Sequence, residues 1–195
     1  EKKVDFVQLV KDMNSGAIGA VLINGVNPAY SYNESRNFKD GLAKVVSISF
    51  NGTMDETTEL CKYILPSHHW LESWGDAEPK TGYFSLLQPT INPLFKTRAF
   101  QTSLIKWSAP AGSLINDYET YFKTYWSAKL GSSDLYNKAL QDGVVEPAAM
   151  PVGGGTFNGT KLSEAAATIA SVKGGAVEVV FYQKVSVGDG SQANN

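Results

Sequence analysis

The sequence is poor in the residues that most redox and metal proteins depend on. It has one cysteine, Cys61, and two histidines, His68 and His69, in 195 residues. A single cysteine excludes a disulfide framework within the chain and any cysteine-held iron–sulfur or zinc site. Seventeen Lys and Arg against nineteen Asp and Glu leave a formal charge of -2, so no basic field exists to hold nucleic-acid phosphates. No stretch approaches the roughly 18 consecutive apolar residues of a membrane helix, and direct membrane insertion is not expected. No secretory leader is visible. Charged residues make up only 18%, but 43% are hydrophobic, enough for one domain with a real core. The chain opens at Glu1 rather than methionine and closes on Asn194-Asn195. We therefore expect a piece of a longer polypeptide, with targeting signals and partners outside it.

What is present reads as alternating helices and strands. Phe6, Leu9, Val10 and Met13 fall at i, i+3, i+4 and i+7, one buried helix face, and Gly16 supplies the stop. Ala17 to Ile23 is apolar without alternation, the pattern of a parallel strand covered on both faces. Asn24-Gly25-Val26-Asn27-Pro28 breaks it. A helix is predicted from Glu34 to Ala43 and a strand from Val45 to Phe50. Thr53 and Glu56 have the spacing of a capping box for a helix running to about Lys62. Tyr63-Ile64-Leu65 is a third strand, stopped by Pro66. This order predicts an α/β fold, a doubly wound, mostly parallel sheet with helices on both faces.

From Ser67 to Pro110 regularity drops, and prolines punctuate an aromatic-rich segment read as a long irregular excursion packed on its surroundings. Helices return from about Asn116 to Leu130 and from Asp134 to Gln141. A Gly/Pro-rich connector covers Val144 to Gly159, with Gly153-Gly154-Gly155 a weak phosphate-loop candidate. A helix is predicted at Leu162 to Val172 and a strand at Ala176 to Gln183. The expected divisions are 1–110, a Rossmann-like half; 111–175, a helical continuation and connector; and 176–195, a returning strand and the start of a further segment.

In a parallel sheet the strand carboxyl ends share one edge, where ligands bind. Three turns fall there: Gly25-Val26-Asn27-Pro28, Asn51-Gly52-Thr53 and Pro66-Ser67-His68-His69. Gly25 lets backbone approach a ligand and Asn27 offers donor and acceptor. Thr53 and the helix start behind it present N–H groups to an anion or ribose. The same residues also serve as ordinary turn formers, and many functions share such folds.

Gly25-Val26-Asn27-Pro28 after a buried strand resembles the Gly-x-Asn-Pro turn of the molybdopterin oxidoreductase (dimethyl-sulfoxide-reductase-like) family. Asp55-Glu56-Thr57-Thr58-Glu59-Leu60-Cys61-Lys62-Tyr63-Ile64-Leu65-Pro66 is similar to that family's next element, although Cys61-Lys62 stands where Ala-Asp is usual. The runs from His68 to Pro79 and from Tyr83 to Ile91, with Phe95-Lys96-Thr97-Arg98, resemble one branch, the large molybdoenzyme-like subunit of bacterial alternative complex III. Gly188-Asp189-Gly190 with Ala193-Asn194-Asn195 resembles the start of its next stretch.

The resemblance implies a domain of a quinol-oxidising electron-transfer complex, at the periplasmic face of the bacterial inner membrane. It implies iron–sulfur and membrane subunits, and the remaining domains of the same polypeptide, as partners. It also implies that Gly25, Asn27, Pro28, Thr53, Thr57, Pro66 and His68 outline an edge that holds molybdopterin guanine dinucleotide in the active enzymes and is vestigial in this branch. No cofactor is then expected in this piece, and no catalytic residue. A cofactor-binding domain of an active molybdenum oxidoreductase and an unrelated nucleotide-binding α/β module are the alternatives.

Other residues invite chemistry less well. His68, His69 and Glu72 could suggest a metal, but neighbouring side chains on extended chain point opposite ways, so no metal site is expected. Cys61 reads as a buried, inert thiol. Glu72, Asp76 and Glu78 are expected to fix the loop or pair with Lys80 and Arg98. Trp70, Trp74, Tyr83 and Phe84 are expected to pack in a core or domain interface.

Overall fold

The computed structural model describes residues 5–147, 155–188 and 190. Chain contacts divide the molecule into two compact units, residues 1–150 and 151–195.

The first unit begins with α1 (Phe6–Ser15). The Asp5 carboxylate accepts from the N–H groups of Val7 and Gln8 at 3.0 and 3.2 Å, capping its first turn. Gly16 ends it in the left-handed region at φ 80°. Three parallel strands follow, β1 (Ala20–Ile23), β2 (Val46–Ser49) and β3 (Tyr63–Ile64), in spatial order β1-β2-β3. Ile23 lies beside Ser49, and Ser49 beside Ile64. Between β1 and β2 run α2 (Pro28–Ser31), a single turn absent from the predicted elements, and α3 (Ser35–Leu42). Val10 and Met13 of α1 and Phe38 and Leu42 of α3 form the core against Ile23.

The strand face carrying Ile23, Ser47 and Ser49 is buried, whereas Leu22 and Val46 on the other face are 49% and 39% exposed. Period-two alternation puts them on opposite sides. The two buried serines hold the chain that follows. Ser47 Oγ accepts from Lys62 N–H at 2.9 Å, and Ser49 Oγ shares a 2.8 Å hydrogen bond with Thr58 Oγ1.

Gly41 sits where α3 crosses α1. A Cβ there would meet Asn14 Nδ2 at 2.9 Å and Met13 Cβ at 3.0 Å, closer than packed side chains allow. Alanine is the better helix former by about 1 kcal/mol, but overpacking a filled core costs about 1–3 kcal/mol. Gly41→Ala is therefore expected to lower the urea midpoint of unfolding.

The 67–110 segment is more regular than its sequence suggests. It carries β4 (Gly75–Lys80), β5 (Tyr83–Leu87) and α4 (Phe100–Ser108). With β6 (Val144–Val145), taken from the predicted connector, β4 and β5 build an antiparallel sheet in the order β4-β5-β6. Helices α5 (Tyr118–Leu130) and α6 (Ser133–Asp142) follow, each capped by an Asp or Ser side chain and ended by glycine. Phe122, Trp126 and Tyr136 make a second core, joined by Trp74 and Phe84. Trp74 and Phe84 thus pack as expected, while Trp70 is 60% exposed. The result is a mixed α/β architecture with one parallel and one antiparallel sheet.

In the second unit, α7 (Leu162–Ser171) forms as predicted, with no buried residue. Residues 176–183 form no strand, a correction to the sequence reading. A strand requires a hydrogen-bonding neighbour, and no other strand lies among the described residues of this unit. Gly153, Gly154, Asp189 and the Ala193-Asn194-Asn195 motif lie outside the described residues.

Candidate functional site

The turns that follow β1 and β2 are bound to each other by two asparagines. Asn51 Oδ1 accepts from the Gly25 N–H at 2.7 Å, and Asn51 Nδ2 donates to Val26 O at 3.0 Å and to Asp55 Oδ2 at 2.8 Å. Gly25 stands at φ 68°, a conformation that favours glycine and turns its N–H toward Asn51. Asn27 answers from the other turn. Its Oδ1 accepts from Thr57 N–H at 3.2 Å and from Thr57 Oγ1 at 2.7 Å, and its Nδ2 donates to Glu56 Oε2 at 2.6 Å. Thr57 Oγ1 in turn accepts from Ala29 N–H at 2.9 Å. Thr57 is fully buried and Asn51 is 7% exposed, so the bonds they make satisfy groups cut off from water, whereas the Asn27–Glu56 bond lies at the surface.

Four of the predicted site residues, Gly25, Asn27, Pro28 and Thr57, therefore come together. Pro28 is buried at the start of α2, where its missing N–H costs nothing. The other three do not join them in this network. Thr53 is exposed and caps no helix. The predicted capping box is replaced: Asp55 Oδ1 accepts from Thr58 N–H at 2.7 Å, and Glu56 turns to Asn27. A carboxylate accepts more strongly than a hydroxyl, which favours Asp55 as the cap. The helix expected to reach Lys62 is a single 3-10 turn, Thr58–Leu60. Pro66 is exposed, and its carbonyl accepts from Arg98 N–H at 3.5 Å. His68 Nδ1 pairs with Thr97 Oγ1 at 2.7 Å and lines a cavity of about 310 Å³ with Glu72, Trp74, Pro89 and Tyr118. Asn51, Asp55 and Glu56 are the members that turn chemistry alone did not single out as a set.

The charge of this edge is negative. Glu56 is held below the usual carboxylate range, first by its bond from Asn27. Asp55 and Glu56 put two carboxylates on this edge, whereas a pyrophosphate is held by cations or a free helix N-terminus. The turn Thr58–Leu60 is too short to present one, and α2 begins with proline. The side-chain donors and acceptors of Asn27, Asn51 and Thr57 are already taken up within the two turns, by Gly25, Val26, Ala29, Asp55, Glu56 and the Asn27–Thr57 pair. The residue set thus does not fit the phosphate part of a dinucleotide.

The remaining reactive side chains have local roles. Cys61 is partly buried, its thiol donates to Thr57 O at 3.3 Å, and burial pushes its pKa up. His69 Nδ1 accepts from Leu71 N–H at 3.3 Å, capping the 3-10 turn Trp70–Glu72. Glu72, 8% exposed, accepts from Leu94 N–H and His69 N–H, both at 2.9 Å. It pins the loop, as expected. Among the described residues no group of three or more His, Cys, Asp or Glu side chains is placed to hold a metal ion. None of the described helices is long and apolar enough to cross a membrane.

The backbone bonds from Leu94 and His69, helped by the charges of His68 and His69, hold the Glu72 carboxyl below its usual 4.5. A lowered folded-state pKa gives stability that is present above the ordinary carboxylate range and lost as pH falls through the lowered value. Glu72→Gln is therefore expected to flatten the acid limb of the stability profile below that range. Urea midpoints measured from neutral to strongly acidic pH check this; parallel profiles for both proteins would contradict it.

No family model matches the chain. Over 98 residues, 48% of its length, it is 33% identical to the menaquinone reductase, molybdopterin-binding-like subunit of Nitratidesulfovibrio vulgaris (strain Hildenborough). The matched stretch is 14% of that protein, so the chain spans a small part of the relative it matches. This similarity supports the resemblance to molybdopterin-oxidoreductase-like proteins; it does not bear on the narrower branch of alternative complex III.

Proposed function

We propose that this chain is a structural α/β domain of a molybdopterin-oxidoreductase-like subunit, without a redox centre of its own, in a quinone-linked electron-transfer complex. The observation that carries the reading is the closed bonding of Asn27 and Asn51 with Thr57, Asp55 and Glu56. Groups that would otherwise read a nucleotide hold two turns together. The edge keeps the shape of a dinucleotide site and acts as scaffold.

Within this reading residues 1–110 form the Rossmann-like half, 111–175 continue it, and 176–195 begin the next segment. Partners are further domains of the same polypeptide and iron–sulfur and membrane subunits, at the periplasmic face of a bacterial inner membrane. In this reading the complex is of the alternative complex III type, on the strength of the motif runs His68 to Pro79 and Tyr83 to Ile91. Elemental and nucleotide analysis of the full-length subunit tests the reading. Molybdenum and guanine nucleotide well below one per polypeptide are expected. Stoichiometric amounts of both would establish instead a working molybdopterin guanine dinucleotide domain.

A further inference from the structure

One side of α5 carries an unusual run of oxidisable rings. Tyr118 and Tyr121 are stacked with centroids 6.2 Å apart and planes 20° apart. Tyr121 and Tyr125 repeat the arrangement at 6.2 Å and 11°. Tyr125 then meets Trp126 edge to face at 5.7 Å. Spacings of three and four residues place the tyrosines on one helix face. Core packing accounts for Tyr118, which lies against the Phe122 and Trp126 core, but not for Tyr121 and Tyr125, each 44% exposed.

The buried end of the run is equipped for proton-coupled oxidation. Trp126 is 1% exposed, and its Nε1–H donates to Asp76 Oδ2 at 2.7 Å. The Lys129 ammonium stands 4.7 Å from the indole centroid. A positive charge there opposes formation of an indole radical cation, so loss of an electron is coupled to loss of the Nε1 proton. Asp76 is the acceptor in place, and it is open to water.

We propose that Trp126, Tyr125, Tyr121 and Tyr118 form a one-electron relay that moves an oxidising equivalent from the buried indole to the exposed face of α5. The oxidant belongs to the class of strong one-electron oxidants, such as oxygen-derived radicals. It takes one electron from Trp126, and the Nε1 proton passes to Asp76, giving a neutral indolyl radical and a carboxylic acid. Tyr125 then gives one electron to the indolyl radical. The indole nitrogen recovers its proton from Asp76, and the Tyr125 phenol releases its own proton to water. The radical passes on to Tyr121 and then Tyr118 by transfer of one electron at each step, the phenol that is oxidised releasing its proton to water and the phenoxyl that is reduced taking one from water. A soluble reductant of the ascorbate class ends the sequence by donating one electron and one proton to the phenoxyl oxygen. The relay would protect the core that Trp126 holds, and it is independent of whether the sheet edge binds a nucleotide.

Flash oxidation tests it. Ala128, exposed on the same helix, is replaced by cysteine in a Cys61→Ser background and labelled with a ruthenium polypyridyl photo-oxidant. After a flash with a sacrificial electron acceptor, the indolyl absorption is expected to decay as the tyrosyl signal rises. Tyr125→Phe keeps the ring and the fold, which circular dichroism verifies. It is expected to lose most of the tyrosyl signal and lengthen the indolyl lifetime. Tyr121→Phe is expected to keep the first transfer and confine the radical to Tyr125, seen as a changed electron paramagnetic resonance line shape. Equal tyrosyl yield and indolyl lifetime in Tyr125→Phe and its parent would overturn the relay. So would the absence of any indolyl radical at Trp126.

Discussion

Trp126→Ala is expected to be the most destabilising single substitution in the first unit, by about 3–5 kcal/mol, the range for removing a large buried ring. The indole is buried among Phe84 at 5.2 Å, Phe122 at 6.4 Å and Tyr125 at 5.7 Å between ring centroids. It joins α5 to the antiparallel sheet twice, through Phe84 on β5 and through the Asp76 bond on β4. Truncation leaves a cavity and removes the donor that faces the Asp76 carboxylate. Trp126→Phe separates these effects. It restores much of the ring volume and loses the hydrogen bond to a charged acceptor, worth about 1.5–3 kcal/mol. The order expected in urea midpoints is wild type, then Trp126→Phe, then Trp126→Ala. A Trp126→Ala midpoint within error of wild type would mean that this second core is not formed.

The sequence read well where local pattern and burial agree. The α1 face ending at Gly16 and the three parallel strands are set by residues a few positions apart, and they appear within a few residues of their expected bounds. Contacts between distant residues were not legible. Both Thr53 and Asp55 are sound caps by type, and tertiary structure chose Asp55. Ser49 and Ser47 then take Thr58 and Lys62, which draws the chain into β3 after one turn. The strand β4 was hidden by Pro79. It is an edge strand with a register irregularity between Ala77 and Lys80, where a missing N–H is tolerated. The apolar run 176–183 shows the reverse error, since strand composition without a ladder partner makes no strand. At the site, Gly25 and Asn27 were visible because their turn is distinctive. Thr57 entered through the family resemblance and Asn51 as a turn residue, but their bonding to Asn27 and Gly25 was not legible, because they lie 30 and 26 residues further on.

Asn27→Ala separates a scaffold edge from a ligand-reading edge. The substitution strips the acceptor from Thr57 N–H and its hydroxyl, both in a fully buried residue, and frees Glu56 from its donor. Leaving buried groups unsatisfied costs about 1–3 kcal/mol, so the urea midpoint should fall clearly. In the assembled complex, at a temperature where the variant stays folded, turnover should change little if the edge is scaffold. A large loss of turnover with assembly intact would contradict that. Asn27→Asp sharpens the distinction. Its carboxylate keeps an acceptor for Thr57 but faces Glu56, whose oxygen lies 2.6 Å from the native amide nitrogen. Two carboxylates that close cannot both ionise without cost, and one pKa rises. A raised folded-state pKa contributes stability at low pH that is lost as pH rises through it. The aspartate variant should therefore approach wild-type stability in mild acid and fall behind toward neutrality. A guanine held at this edge would present N–H donors that a carboxylate accepts well, relieving the repulsion. Added guanine nucleotide should then restore the neutral-pH midpoint of Asn27→Asp if the edge reads nucleotides, and leave it unchanged if, as we propose, Asn27 serves only to join the two turns.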